Sequence, residues 1–387
     1  MDHARVGGVV VLDDFFPDLK TGFRIAEFNW LLRNGVVDAV YSTQPLALVL
    51  PSYRERYPEL AERVLAFEPE ILKDARLATM VFLNNAAHFL PDLERASTPF
   101  VVTLYPGGGL NLGDAETEPK LARVLDSPLL RAVITTQPKV TDYVRERAPA
   151  LSVTQIIGAA INPSYFHAGA GLRTDYFGEG SARLRVCFVA HRYSPRGDDK
   201  GYDIFLDVVR ALVNRGVPLS AHVVGGFDQD VLDVSDLTHV LTFHAAMPTE
   251  QLAAFFVGMD LMITPNRPGV LAPGAFDGFP PASAIEASLA GVAIVATDSL
   301  GQNLLFRDGR DVLIVRPDAG EIADRVEALI ASPGGIRRLA QAGLATSRRG
   351  YGVDAQLWRR RAVIEGVLAS LGGSAPAPSS ADDRRPA

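Results

Sequence analysis

Two carboxylates, Asp277 and Glu286, bracket the opening of the run FDGFPPASAIEASLAGVAIVATD, residues 276–298. Between them Gly278, Pro280, Pro281 and Ser283 favour a tight turn that opens a helix. Proline tolerates the first helical turn, and Ser283 is expected to cap its free amides. Glu286 then falls about one turn inside the helix, near an end with positive dipole character. A carboxylate accepts from hydroxyls and free amides donate to phosphates, so the pairing suits a ligand that carries both. A second cluster of charge lies in FVAHRYSPRGDDKGYD, residues 188–203. His191, Arg192, Arg196 and Lys200 occupy a loop between a strand and a helix, where cations and helix amides suit a diphosphate. The plainer alternative is a solvated loop whose charge Asp198 and Asp199 balance.

Other spacings carry less. Asp228-Gln229-Asp230 spells a metal-diphosphate signature, but two carboxylates after a strand are common surface residues, and no metal site is expected. Gly107-Gly108-Gly109 follows a strand without a Walker lysine or GxGxxG spacing, and reads as a loop at a cleft. Neither half carries GxGxxG after its first strand, which disfavours a nicotinamide dehydrogenase. His88 follows a strand and Asn84-Asn85, where it is a candidate polar cleft residue.

Such residues need strands to end beneath them. In the first half, strand-like runs at 6–12, 39–41, 79–83, 100–104, 132–136 and 154–157 alternate with helical or polar segments, among them a helix over 21–33. That alternation predicts βα units and a mostly parallel sheet. Composition turns rich in Gly, Ser and charge from His167, and 171–184 reads as a linker. The pattern then restarts. Strands are expected at 185–190, 220–224, 239–243, 261–264, 292–297 and 312–315, and helices at 202–215, 249–257 and 320–331. The fold class is α/β, with two Rossmann-like parallel-sheet domains, 1–170 and 185–354, facing a central cleft. A helix over 355–371 is expected to pack back toward the first domain. Residues 372–387 read as a disordered tail.

Bulk composition narrows the classes. The chain has 387 residues, 48% hydrophobic and 21% charged, enough apolar content for two large cores. A formal net charge of −7 does not favour a nucleic-acid partner. One cysteine, Cys187, makes no intrachain disulfide and no zinc cluster, and inside an apolar strand it reads as a buried thiol. The start shows no secretory signal and no apolar run is long enough for a membrane span, so a cytoplasmic protein is expected. Arg337, Arg338, Arg348, Arg349 and Arg359 to Arg361 leave open a peripheral contact with the inner face of a membrane. The alternative is a solvated helix face with Leu357 and Trp358 packed inward.

Taken together, the pieces of the second half resemble the retaining GT-B glycosyltransferases of family four (glycosyl transferases group 1), best over 185–331. The matching pieces are an Arg loop with Lys200-Gly201; MDLMITPN ending the run 251–266; Asp277 through Thr297; and Gln302-Asn303 with Asp308-Gly309 before a strand. The first half is similar more loosely, through GAAINPSYF at 158–166 and through 129–145. One residue more separates Asp277 from Glu286 than the family places there. Tyr105 stands where the family often has histidine.

The resemblance implies a nucleotide-diphosphate sugar donor as co-substrate, with no resident cofactor and no metal. Arg192 and Lys200, with Arg196 nearby, would neutralise the diphosphate. Glu286 would accept from the ribose, and Asp277 with the amides near Gly278 and Phe279 would hold the sugar. Asn266 would line the same site, and Gly22 would allow the backbone close to the phosphates. Arg24, Glu27, His88 and Tyr105 become candidate acceptor residues on the first domain. The acceptor would be a glycan, a lipid-linked sugar or a small molecule, in polysaccharide or glycoconjugate biosynthesis. Two readings compete on the same fold: a nucleotide-sugar epimerase or hydrolase, and a non-catalytic glycan-binding or scaffold subunit.

Overall fold

The computed structural model describes residues 8–168 and 175–372. The first two residues of the expected opening strand, most of the linker's first half at 171–174, and the tail at 373–387 lie outside the described residues.

Two parallel sheets organise the chain. The first is built from β1 (Val9–Asp13), β2 (Ala39–Ser42), β3 (Val64–Ala66), β4 (Leu77–Val81), β5 (Phe100–Leu104), β6 (Leu130–Thr135) and β7 (Ser152–Gln155), in the order β3-β2-β1-β4-β5-β6-β7. A short pair, β8 (Tyr176–Phe177) and β9 (Gly180–Ser181), precedes the second sheet. That sheet uses β10 (Leu184–Ala190), β11 (Leu219–Gly225), β12 (Leu241–His244), β13 (Leu261–Thr264), β14 (Ala293–Thr297) and β15 (Leu313–Val315), ordered β12-β11-β10-β13-β14-β15. The strand order reverses at β1/β4 and again at β10/β13. The crevice beyond the carboxyl ends at such a switch point is where open α/β sheets take ligands.

Helices cover both faces of each sheet, which is why the strands read as near-continuous apolar runs. In the first half these are α1 (Gly22–Arg33), α2 (Leu46–Arg56), α3 (Leu83–Ala96), α4 (Thr117–Leu125) and α5 (Pro138–Arg147). The second half adds α6 (Ser164–Ala168), α7 (Tyr202–Asn214), α8 (Thr249–Val257), α9 (Ala282–Leu289), α10 (Ala319–Ala331), α11 (Gly335–Tyr351) and α12 (Arg359–Leu371). The strand expected at 79–83 ends earlier, at Val81, because Phe82 takes a left-handed φ of 71° and turns the chain into α3.

The last helix returns to the first sheet. Ile364 and Val367 of α12 join the core around Val9, Val11 and Ile134. Trp358, expected to pack inward, is 45% exposed and stacks edge-on against Trp30, while Leu357 is buried. The deeply buried residue here is Arg360, at 1% exposure, so the arginine-rich end is not a uniform solvated face. No helix among the described residues is long and apolar enough to cross a membrane.

Candidate active site

The loops that follow β4, β5, β10 and β13 meet between the two sheets. They form a cleft of about 440 Å³, lined from the first domain by Phe82, the glycines 107–109 and Asn111, and from the second by Tyr193, Lys200, Arg267 and Asp277. A smaller pocket next to it is walled by Asn266, Asp277, Gly278, Phe279 and the turn from Thr297 to Gln302.

Lys200 is the central cation. It is 8% exposed, and its Nζ lies 2.7 Å from each oxygen of Asp277 and 5.0 Å from the Tyr193 ring centroid. Asp199 shapes this loop: its Oδ1 accepts from the amide and hydroxyl of Ser194. Its buried Oδ2 has no hydrogen-bond donor and stands 3.7 Å from Lys200 Nζ. Gly201 follows with φ 69°. A Cβ there would meet the Pro265 carbonyl oxygen at 2.1 Å, so only glycine lets the helix start pass this close to the β13 loop.

Asn266 ties the acidic residue to the sheet. Its Oδ1 accepts from Thr264, its Nδ2 donates to Asp277 Oδ2 at 2.5 Å, and its carbonyl accepts from Thr297. Arg267 beside it braces the lysine loop: its guanidinium donates to the Asp198 carbonyl and the Asp203 carboxylate, and its amide donates to the Asp199 carbonyl. The sequence reading passed over Arg267. Its signal was position alone: it comes three residues after the end of β13, next to Asn266, which was already a candidate.

Glu286 sits within the first turns of α9, where the Tyr165 hydroxyl hydrogen-bonds it. Burial pushes its carboxyl up to about 8, against the lowering effect of that bond. Burial, with Glu286 next to it, also raises the Tyr165 hydroxyl far above its ordinary range. Glu286 lines neither of the two pockets; on α9 it is a carboxyl that carries a proton at neutral pH. Such a group can both donate to and accept from hydroxyls.

Several expected contacts fall elsewhere. Ser283 does not cap α9, because its hydroxyl donates to the Val189 carbonyl and the cap position belongs to Pro281. Arg192 is exposed and its guanidinium turns back onto the Pro195 carbonyl, and Arg196 is exposed near Asp198 at 3.7 Å, so neither lines the cleft. Phe279 packs its ring in the core beneath α9, and its amide is taken by Gln137 Oε1 at 3.3 Å. It is therefore not free to hold a sugar. Gly22 opens α1 with free space around it and no close neighbour.

The four acceptor candidates separate too. Arg24 is buried, bound to Asp13 at 2.9 Å and Asp14 at 3.0 Å, with its guanidinium over the rings of Phe15, Phe23 and Phe82. Glu27 and Tyr105 are committed to a buried network. The Tyr105 hydroxyl donates to Glu27 at 2.8 Å and accepts from Arg360 at 2.8 Å, and Arg360 also reaches the Gly158 carbonyl. All three side chains are buried and paired within the chain. His88 is exposed, stacked on Phe89, in a separate groove with Asp14, Thr43, Asn84 and Lys120.

Asp260, Cys187 and Asp228 sit in structural settings. Asp260 is fully buried and binds the Arg185 amide at 2.8 Å, its Nε at 3.0 Å and the Phe177 amide at 3.2 Å, fastening the start of β10 to β13. Burial pushes the Cys187 thiol far up, which leaves it no nucleophilic role. Asp228 accepts from the amide of Asp230 in a local surface turn.

Comparison with known proteins places this geometry. Residues 183–332 match the sequence profile of the family described as "Glycosyl transferases group 1". No match was found among curated proteins. A glycosyltransferase from Rickettsia africae superposes with TM-score 0.68 at 12% identity, over 93% of this chain and 98% of that one. Sucrose-phosphate synthase from Thermosynechococcus elongatus gives 0.66 at 14%, over 94% and 99%. HepE of Anabaena, solved with UDP-glucose, gives 0.65 at 15%, over 94% and 99%. At these identities the likenesses speak for the fold. The chain has the two-domain GT-B fold, and its residues 183–332 are similar to the group 1 glycosyl transferases.

Proposed function

We propose that the chain transfers a sugar from a nucleotide-diphosphate donor to a glycan, lipid-linked or small-molecule acceptor, with retention at the anomeric carbon. The observation that carries this reading is the buried Lys200 ion-paired to Asp277 in the cleft, 2.7 Å away, with Glu286 on the helix that follows. A diphosphate entering the cleft exchanges one anion for another at Lys200 and frees Asp277 for the sugar hydroxyls. Glu286 meets the ribose. The HepE structures with UDP-glucose and with UDP support a nucleotide sugar as the donor class.

In the step itself the bond between the sugar's anomeric carbon and the β-phosphate oxygen breaks. The acceptor oxygen attacks from the same face, and its proton passes to the departing phosphate oxygen. Lys200 stabilises the charge that grows there. Side chains supply the neutralisation, so the reading requires no resident cofactor or metal. Closure of the two domains keeps water from the activated sugar. The route fits polysaccharide or glycoconjugate assembly at the inner side of a membrane.

The test is a thermal-shift panel of UDP, GDP, TDP and ADP with their sugars, since a ligand that binds only the native state raises its stability. One base should stabilise selectively, and Lys200→Met should remove the shift. No shift with any of them would overturn the reading.

A further inference from the structure

The loop proposed to grip the sugar is held from the other domain. Gln137 belongs to the first sheet's side of the molecule: it follows β6 and stands at the head of α5. It is 2% exposed. Its backbone is fixed, because its carbonyl accepts from both the amide and the hydroxyl of Thr141, whose hydroxyl is 2.6 Å from that of Thr135. The side chain reaches the second domain, where its Oε1 accepts from the Phe279 amide at 3.3 Å.

Gly278 shows that the approach is built in. Its φ lies outside the left-handed region, so the turn does not demand glycine for its backbone. A Cβ at Gly278 would instead lie 2.6 Å from Gln137 Nε2. The missing side chain makes room for the glutamine. Two further contacts join the same loop to the first domain. The Leu112 amide donates to the Gly274 carbonyl at 3.1 Å, and Phe276 packs into the core with Leu110 and Leu112. On its other side the loop carries Asp277, bound to Lys200.

We infer that Gln137 is a positioning residue: it holds the Asp277–Gly278–Phe279 turn in the shape that grips the donor's sugar, so the first domain sets the geometry of the sugar subsite in the second. The inference rests on the proposed transferase reading for its link to sugar, and on geometry alone for the hold on the turn. The diphosphate and ribose contacts, Lys200 and Glu286, come from the second domain and do not pass through Gln137. Loss of the glutamine must therefore weaken the intact nucleotide sugar and spare the nucleoside diphosphate.

Two measurements test it on the full chain. Gln137→Met keeps the volume and removes the acceptor oxygen, and Gln137→Glu keeps an oxygen there. By hydrogen–deuterium exchange, the peptide over 276–282 should exchange faster in Gln137→Met than in the wild type, with Gln137→Glu restoring protection. Pro280 and Pro281 carry no amide hydrogen, so the signal comes from few sites. Unchanged exchange in Gln137→Met would overturn the hold on the turn. With the nucleotide found in the thermal panel, Gln137→Met should raise Kd for the nucleotide sugar about tenfold, corresponding to about 1.4 kcal/mol, and leave Kd for the nucleoside diphosphate within about twofold. Equal losses for both ligands, or none for either, would overturn the positioning role. A wild type that binds no nucleotide would overturn the transferase reading instead, and the exchange result would still decide the hold.

Discussion

Lys200 Nζ lies 2.7 Å from both oxygens of Asp277, so the principal cation of the cleft is already neutralised before any ligand arrives. The pair joins the loop after β10 to the loop after β13 across the switch point of the second sheet. A polyanion gains Lys200 only by displacing Asp277.

Removing that internal competitor has an unusual sign. Asp277→Asn should strengthen nucleoside-diphosphate binding about fivefold, the scale of about 1 kcal/mol for a partly exposed ion pair, while sugar transfer falls. Lys200→Met should weaken the same binding by about thirtyfold, as loss of a charge-assisted contact worth about 2 kcal/mol implies. Isothermal titration calorimetry on the two variants checks both directions.

Glu286 makes stability fall with pH. The native carboxyl is raised to about 8 from 4.5, so the folded protein holds a proton that the unfolded chain releases. The stability tied to that proton is full below about 4.5, declines as the pH rises, and is lost once the pH passes about 8. Between pH 5.5 and 7.5 the wild type should lose about 2 kcal/mol relative to Glu286→Gln, from about 1.4 kcal/mol per unit. Urea denaturation of both proteins at the two pH values measures it.

The buried network around Arg360 fastens α12 to the first domain. Arg360→Ala leaves Glu27 buried without its counter-charge and should cost about 3–5 kcal/mol. Tyr105→Phe keeps the ion pair and removes only the hydroxyl, at about 1–2 kcal/mol. Chemical denaturation reads both losses. The Kd for nucleoside diphosphate should stay within about twofold in Tyr105→Phe, because the donor contacts lie on the other domain.

The glycine loop tolerates no side chain at its centre. Gly108 has φ 55°, and a Cβ there would lie 2.3 Å from the Phe82 ring, which itself lines the cleft. Gly108→Ala should cost about 1–3 kcal/mol from backbone strain and the clash together. A lowered melting temperature with a raised KM for acceptor is the expected outcome, measured by calorimetry and steady-state kinetics.

Much of the second half was legible. β13 and α8 fall where apolar runs and turn residues place them, because a strand covered on both faces has to be apolar throughout. Lys200, Asn266 and Asp277 were nameable because each follows a strand at its carboxyl end, where a switch point gathers loops. The buried partners of Arg24, Glu27 and Tyr105 were not legible, for the opposite reason. A polar residue near a strand end looks alike in sequence whether it faces a cleft or a buried partner. Their partners, Asp13 and Arg360, are 11 and 333 residues away from Arg24 and Glu27 respectively (24 − 13 and 360 − 27).

Periodicity and local chemistry by themselves determined two parallel α/β units and the loops that carry charge between them, since burial and capping act over a few residues. Tertiary structure alone decided which charges meet. It turned Arg192 and Arg196 outward, spent Tyr105 on Arg360, fixed Asp260 to Arg185, and brought Gln137 onto Phe279 across 142 residues. A hydrogen bond depends on separation in space, and chain order constrains that separation only weakly once two sheets have packed side by side.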